Sequence, residues 1–209
     1  MMKIGIILAA VSAVAVAGGA QAEAGYAGLH VEAQGGWDHS TARLNYDDGV
    51  FEEHGHDSFD GVTYGVGAGY DVDLGGVLLG TEGAINWSTA KDCSSDGFER
   101  DCLKFGREIE LGARLGTQLG ANGPLLYGKI AYVNARLKAK VSDVEGDVLT
   151  GHRNLDGVRF GVGLEQKLAR QFYVKAEYRY TRFDDFHLND TTKAGFDRHQ
   201  VIGGLGVLF

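Results

Sequence analysis

Charged residues recur at even spacing along this chain. Glu108, Glu110 and Arg114 form one run, Arg159, Glu165 and Lys167 a second, and Lys175, Glu177 and Arg179 a third. Glu32, Glu82 and Lys129 sit in comparable settings, which brings the set to six acids and six bases. In an extended chain, residues an even number apart share one face. Acids and bases gathered on such faces can neutralise one another through charge-assisted hydrogen bonds. The same groups could instead line a selective conduit for ions or solutes. In a confined interior an unpaired charge is costly, so mutual pairing, and with it a structural plug, is the chemistry this balance favours.

Other reactive side chains are fewer. Asp47, Asp48, Glu52, Glu53, His54, His56 and Asp57 crowd one polar segment. Imidazole beside carboxylate suits zinc and similar divalent ions. The simpler reading is a solvated acidic loop that repels proteases and shapes the cell surface. His199, with Asp184 and Asp185 across a hairpin, is the best arrangement for acid–base work; a surface histidine with carboxylates nearby is the alternative. Ser88 is nearly the only serine within a strand. Gly65-Val66-Gly67 and Gly161-Val162-Gly163 lie inside alternating segments rather than at a helix start, which argues against phosphate cradling. No G-x-S-x-G, H-E-x-x-H or P-loop pattern occurs. The residues therefore assign no catalytic set, no cofactor and no metal site. Cys93 and Cys102, the only cysteines, share one polar segment. A disulfide is expected between them in an oxidising compartment, with a two-thiol metal site as the alternative. Closing so short a loop should stabilise by roughly 2–3 kcal/mol.

Eight alternating segments position these groups: 26–38, 59–73, 76–89, 104–119, 125–138, 156–168, 172–184 and 199–209. In the second, Val62, Tyr64, Val66, Ala68 and Tyr70 face one way and Gly61, Gly65, Gly67 and Gly69 the other, leaving room for long side chains opposite. The fifth is the least clear, because both faces are apolar and only Lys129 suggests which is inward. Period-two alternation marks strands with one apolar and one polar face, and a soluble two-sheet sandwich would show it too. Three features favour a membrane barrel. Connections 73–76, 120–123 and 169–171 are tight, whereas 39–58, 90–103, 139–155 and 185–195 are long, polar and charged. Segments of about 11–15 residues exceed the five or six usual in soluble sheets and suit a tilted crossing. Aromatics gather at segment ends, as two interfacial belts require: Tyr26, Tyr70, Phe172 and Phe209 at the tight-turn end, Trp37, Phe59, Trp87 and Phe183 at the other. The expected fold is all-β, an eight-stranded antiparallel up-and-down transmembrane β-barrel with short periplasmic turns and long extracellular loops.

The address agrees. Residues 1–22 carry Lys3, an apolar stretch over 4–16 and the tripeptide Ala20-Gln21-Ala22, the pattern of a secretory signal peptide cleaved before Glu23. The apolar run falls short of the roughly 20 residues a membrane-spanning helix needs. Residues 23–209 are then one barrel domain. With 33 glycines and Pro124 as the single proline, long uninterrupted strands are well served. A net charge of −8 without a basic stripe argues against nucleic acid as a partner.

The last eleven residues read HQVIGGLGVLF, with Val201, Gly203, Leu205, Val207 and Phe209 on one uncharged face. This ending, the leader, the eight segments and their alternating connections resemble the small outer-membrane β-barrel superfamily of porin-like and opacity-type proteins of Gram-negative bacteria. The chain is also similar in size to the transmembrane domain of OmpA-like proteins, without their periplasmic domain. The resemblance implies that Val201, Leu205, Val207 and Phe209 form the signal read by the barrel-assembly machinery. It implies outer-membrane lipid and lipopolysaccharide as surroundings, and a host or surface ligand at the loops. A structural or surface-interaction barrel is the leading expectation and a narrow porin the second. An enzyme at the rim acting on lipid A is the third, the chain being expected not to be an enzyme.

Overall fold

The computed structural model describes residues 25–47, 52–95, 99–143, 148–187 and 192–209. The leader read over 1–22 lies outside the described residues. The described chain forms strands β1 (Gly28–Asp47), β2 (Glu52–Asp73), β3 (Val77–Ser88), β4 (Lys91–Ser95), β5 (Glu99–Gln118), β6 (Leu125–Asp143), β7 (Val148–Lys167), β8 (Phe172–Phe183), β9 (Phe186–His187) and β10 (Thr192–Leu208). β1, β2, β3, β5, β6, β7, β8 and β10 pair antiparallel in that order, and β10 pairs back onto β1, closing an eight-stranded barrel. β4 and β9 are short additions along β5 and β10.

Closure has a definite stagger. From Gly28 the paired residues run through Asp71, Gly80, Arg114, Lys129, Gly161, Arg179 and Gln200 and return to β1 at Asp38, ten residues further along. With eight strands, that shear tilts them about 40° from the barrel axis. At the seam, the Phe209 N–H donates to the Leu29 carbonyl at 2.8 Å. Gly28 sits there at φ +124°, and a Cβ on it would stand 2.5 Å from a main-chain oxygen of Phe209. The tight turns lie at this same end. In the first, the Asp73 carboxylate accepts the N–H groups of Gly75 and Gly76 at 2.9 and 2.8 Å, both glycines having positive φ.

Burial alternates residue by residue along β3 and β8. The sense is the reverse of a water-soluble fold: Leu111 and Leu205 are each 66% exposed, while Arg159 is fully buried. An apolar exterior around a charged interior is stable where lipid, not water, surrounds the barrel.

Two expectations need correction. The connections read as long loops over 39–58, 90–103 and 139–155 are largely strand, since β1 and β2 pair out to Asp47↔Glu52, β4 and β5 out to Ser95↔Arg100 and β6 and β7 out to Ser142↔Val148. Polar residues ended the expected segments, but polarity does not stop a ladder when no proline or bulge interrupts it. Strands of twenty residues at about 3.3 Å each far outreach an apolar band of about 25 Å, so their hairpin ends project beyond it. The aromatic belts also change membership. Trp37, Tyr70, Trp87, Phe172 and Phe209 face outward, whereas Tyr26, Phe59 and Phe183 are buried inside. The alternation that turns Arg179 inward turns Phe183 inward with it.

Candidate functional site

The lumen collects the charges. Near the turn end, the Arg114 guanidinium grips Asp71, with Nε to Oδ1 at 2.8 Å, and reaches Glu165 at 2.5 Å. His30 lies 3.3 Å from the other side of Asp71. Lys175 pairs with Glu32, which also accepts the Tyr173 hydroxyl at 2.9 Å. At mid-height, the Lys129 ammonium is shared by Glu82, Glu110 and Glu177 at 2.5, 2.8 and 2.9 Å. Arg179 pairs with Glu177 and donates to the side-chain amide oxygen of Gln34 at 2.5 Å; the Gln34 amide nitrogen then donates to the Asn86 side-chain oxygen at 2.6 Å. Towards the hairpin end, Arg159 bridges Glu108 and Glu110 and donates to the Thr181 hydroxyl at 2.7 Å. Arg198 clamps Asp38 and reaches Glu108 at 2.6 Å, and the Ser88 hydroxyl donates to Asp38 at 2.6 Å.

Apolar layers close both ends of this column. At the hairpin end the Phe105 ring lies 5.9 Å from Phe59, 6.1 Å from Phe183 and 6.2 Å from Phe196. Val133, Leu137 and Leu155 complete that layer, and the Arg198 guanidinium stacks 4.8 Å above Phe105. At the turn end, Tyr26, Leu78, Leu125, Tyr127, Tyr173 and Leu208 fill the opening. Tyr26 donates to the Glu165 carbonyl at 2.9 Å. The inward glycines supply the room: a Cβ on Gly69 would meet the His30 ring at 2.6 Å, and one on Gly65 the Asn86 side chain at 2.1 Å.

Eleven of the twelve expected lumen charges meet in this network. Lys167 instead stands at the turn-end mouth, half-buried, its ammonium 5.0 Å from the Tyr26 ring and donating to the Gly25 carbonyl. Three charged participants escaped sequence reasoning: Asp38, Asp71 and Arg198, all buried. Each continues the inward parity of its strand beyond the limit assigned to the polar face, and that parity was the signal. With them, eight carboxylates face six cations and His30 in the described lumen.

Outside the lumen the outcomes differ. Cys93 and Cys102 form a disulfide across the β4–β5 ladder. His199 does not meet Asp184 or Asp185, because the register sets it opposite Tyr180; its ring nitrogen shares a hydrogen bond with the Tyr178 hydroxyl at 2.7 Å. His39 pairs with Asp60 at 2.8 Å. In the first acidic cluster, Asp48 and the side chains of Asp47, Glu52, Glu53, His54 and His56 lie outside the described residues. Val201, Leu205 and Val207 share the outward face of β10, and Phe209, just past its end, is exposed in step with them, as expected from their alternation.

Comparison with known proteins joins this geometry to a family. The model for the outer membrane protein beta-barrel domain matches residues 6–209. The 22 kDa outer membrane protein of Rhizobium leguminosarum bv. viciae is 30% identical over 154 residues, 70% of this chain and 68% of that protein. The 25 kDa outer-membrane immunogenic protein of Brucella abortus is 31% identical over 148 residues, 69% of this chain but 64% of that protein, short of two thirds of its length. Among solved structures, Neisserial surface protein A aligns with a TM-score of 0.46 at 16% identity, covering 88% of this chain and 99% of its own. Ail, the attachment invasion locus protein of Yersinia pestis, aligns with a TM-score of 0.41 at 16% identity, covering 86% and 99%. The chain belongs to the outer membrane protein beta-barrel domain family and is a β-barrel protein of the bacterial outer membrane.

Proposed function

We propose that this barrel is closed through its lumen and acts at its surface, as a structural and interaction protein whose long hairpin ends face the cell exterior. One observation carries this reading: a column of mutually paired charges fills the lumen and an apolar layer covers it at each end. An ion entering would have to displace a Lys or Arg from its carboxylates in a dry interior, which costs several kcal/mol. Purified, refolded protein in a planar bilayer should give no discrete conductance steps. Reproducible steps of one size would overturn the closed lumen and favour the second reading, a narrow porin. What favours that alternative is the excess of carboxylates over bases inside, which would attract cations.

The hairpin ends supply the surface. Their ladders extend well past the apolar band, and the Brucella relatives are named as immunogenic proteins, in keeping with exposed segments. Removing the outer part of the β6–β7 hairpin should leave the barrel folded and abolish binding to a host or surface ligand. Unchanged binding after each hairpin is trimmed in turn would sink this part. The chain is not an enzyme in this reading; overexpression should leave the lipid A mass spectrum unchanged. The outward row Val201, Leu205, Val207 and Phe209 is proposed as the segment read by the assembly machinery. Deleting Phe209 should lower the yield of assembled barrel in cells more than the stability of refolded protein.

A further inference from the structure

The outward face of a barrel in lipid should carry few charges, yet a band of cations crosses it near the hairpin end. Lys91 pairs directly with Lys104 across β4–β5, Lys104 with Lys138 across β5–β6, and Lys138 with His152 across β6–β7. All four are exposed. One step towards the turn end stand Arg107, opposite Trp87, and Arg136, opposite Asn154. Directly opposed like charges weaken an antiparallel ladder. Among the described residues, none of Lys91, Lys104, Arg107 and Lys138 has a carboxylate partner, although the molecule as a whole carries a net charge of −8 and its buried lysines and arginines are paired.

The local backbone makes a receptacle of this band. Phe105 pairs with Leu137 but Glu108 with Ala135, so β5 carries one extra residue there. Such a bulge bends the strand and re-aims its side chains. Beside it opens a cleft of about 280 Å³, walled by Lys104, Arg107, Arg136 and Lys138 and floored by Tyr64 and Trp87. The Tyr64 and Trp87 rings stack 6.1 Å apart and both face outward. Outward Trp and Tyr mark the depth where hydrocarbon gives way to headgroups. The cations thus begin where lipid phosphates lie.

We propose that this cleft binds the phosphorylated headgroup of an anionic outer-leaflet glycolipid, its acyl chains running down the apolar face below Trp87. The inference rests on the reading that the hairpin ends face the cell exterior. Arg107 and Arg136 offer forked donors to phosphate oxygens, while Lys91, Lys104 and Lys138 supply mobile point charges around them. The anion would relieve the repulsion between the opposed lysines, which explains how the ladder tolerates them.

The test uses the full barrel in phosphatidylcholine nanodiscs doped with lipid A bearing two phosphates or with its dephosphorylated form, retained lipid being counted by native mass spectrometry. The wild type should retain the phosphorylated lipid at least about tenfold more than the dephosphorylated one, since each nearby Lys or Arg favours an anionic headgroup by a factor of about five. The variant K91Q/K104Q/R107Q/K138Q should lose that preference, and the control R170Q/R182Q, altered away from the cleft, should keep it. Equal retention of the two lipids by the wild type, or full preference in the quadruple variant, overturns the proposal. So does tight binding of a soluble sulfated polysaccharide with no preference among lipids, which would make the band a polysaccharide site. Should the quadruple variant fail to refold, K104Q/K138Q takes its place, and the wild-type comparison needs no variant. Conductance does not enter this experiment, so a failure here leaves the closed-lumen reading standing, and failure of hairpin-dependent ligand binding leaves this one to be judged on lipid alone.

Discussion

Lys129 has the most to lose from a single change. Its ammonium is shared by Glu82, Glu110 and Glu177 at mid-height, so Lys129→Met leaves Glu82 with Arg114 alone at 3.9 Å and removes one of the cations that Glu110 and Glu177 share with Arg159, Arg179 and Lys175 in a dry interior. Unfolding in urea should show a loss of about 3–5 kcal/mol, and adding Glu82→Gln should restore at least about 1 kcal/mol. An unchanged midpoint in the single variant would mean that the lumen charges do not hold the interior. Gly28 is a backbone case. Gly28→Ala should cost about 1–3 kcal/mol because of the positive φ and the Phe209 oxygen, whereas Gly151→Ala, with open space around its Cβ, should be neutral. Inward direction was legible for eleven of the twelve charges assigned to the polar faces, since parity is a local property of a strand. Which partner each would meet was not. Arg114 and Glu165 lie 51 residues apart, and only the stagger of the closed ladder brings them together. Asp38, Asp71 and Arg198 were missed because glycine neighbours or segment limits hid the parity that they continue.

Strands and turns were read well where glycine or proline punctuates them and less well where only polarity does. The tight turns at 73–76 and 120–123 fall between strands as expected, with Gly75, Gly76 and Gly120 at positive φ. The hairpin ends were mistaken for loops because charged and polar residues there look like solvent-facing coil, although cross-strand hydrogen bonds are indifferent to the side chains they carry. Cys93 and Cys102 are already ladder partners, so their disulfide fastens a local hairpin rather than the barrel. Cys93→Ser/Cys102→Ser should leave global unfolding almost unchanged while hydrogen exchange over Lys91–Ser95 quickens, up to the about 2–3 kcal/mol that so short a loop provides. A fall of that size in the global transition would show instead that this hairpin and the barrel unfold as one unit.

The whole molecule is an inside-out protein, and its exterior should respond to substitution by depth. Leu205→Arg, on the outward face of β10, should cost about 2–4 kcal/mol when the barrel unfolds from vesicles and much less in a short-chain detergent that admits water. Equal costs in both media would mean that Leu205 does not meet hydrocarbon. The fold class, the strand number and the placement in the outer membrane were all legible from alternation, connection lengths and the final strand. The shear and the apolar layers at both ends were not, because each depends on long-range register. The seam between β1 and β10 carries one consequence for how the protein is made. Its pairs join residue 30 to residue 208 and residue 46 to residue 192, so almost the whole chain must exist before the first strand finds its second neighbour. The entropic cost of so long a closure grows only slowly, by about 0.6 kcal/mol per doubling of length. The difficulty is timing rather than energy: until β10 arrives, β1 waits with one row of amides and carbonyls unanswered, and no partial barrel can be left to finish itself in lipid.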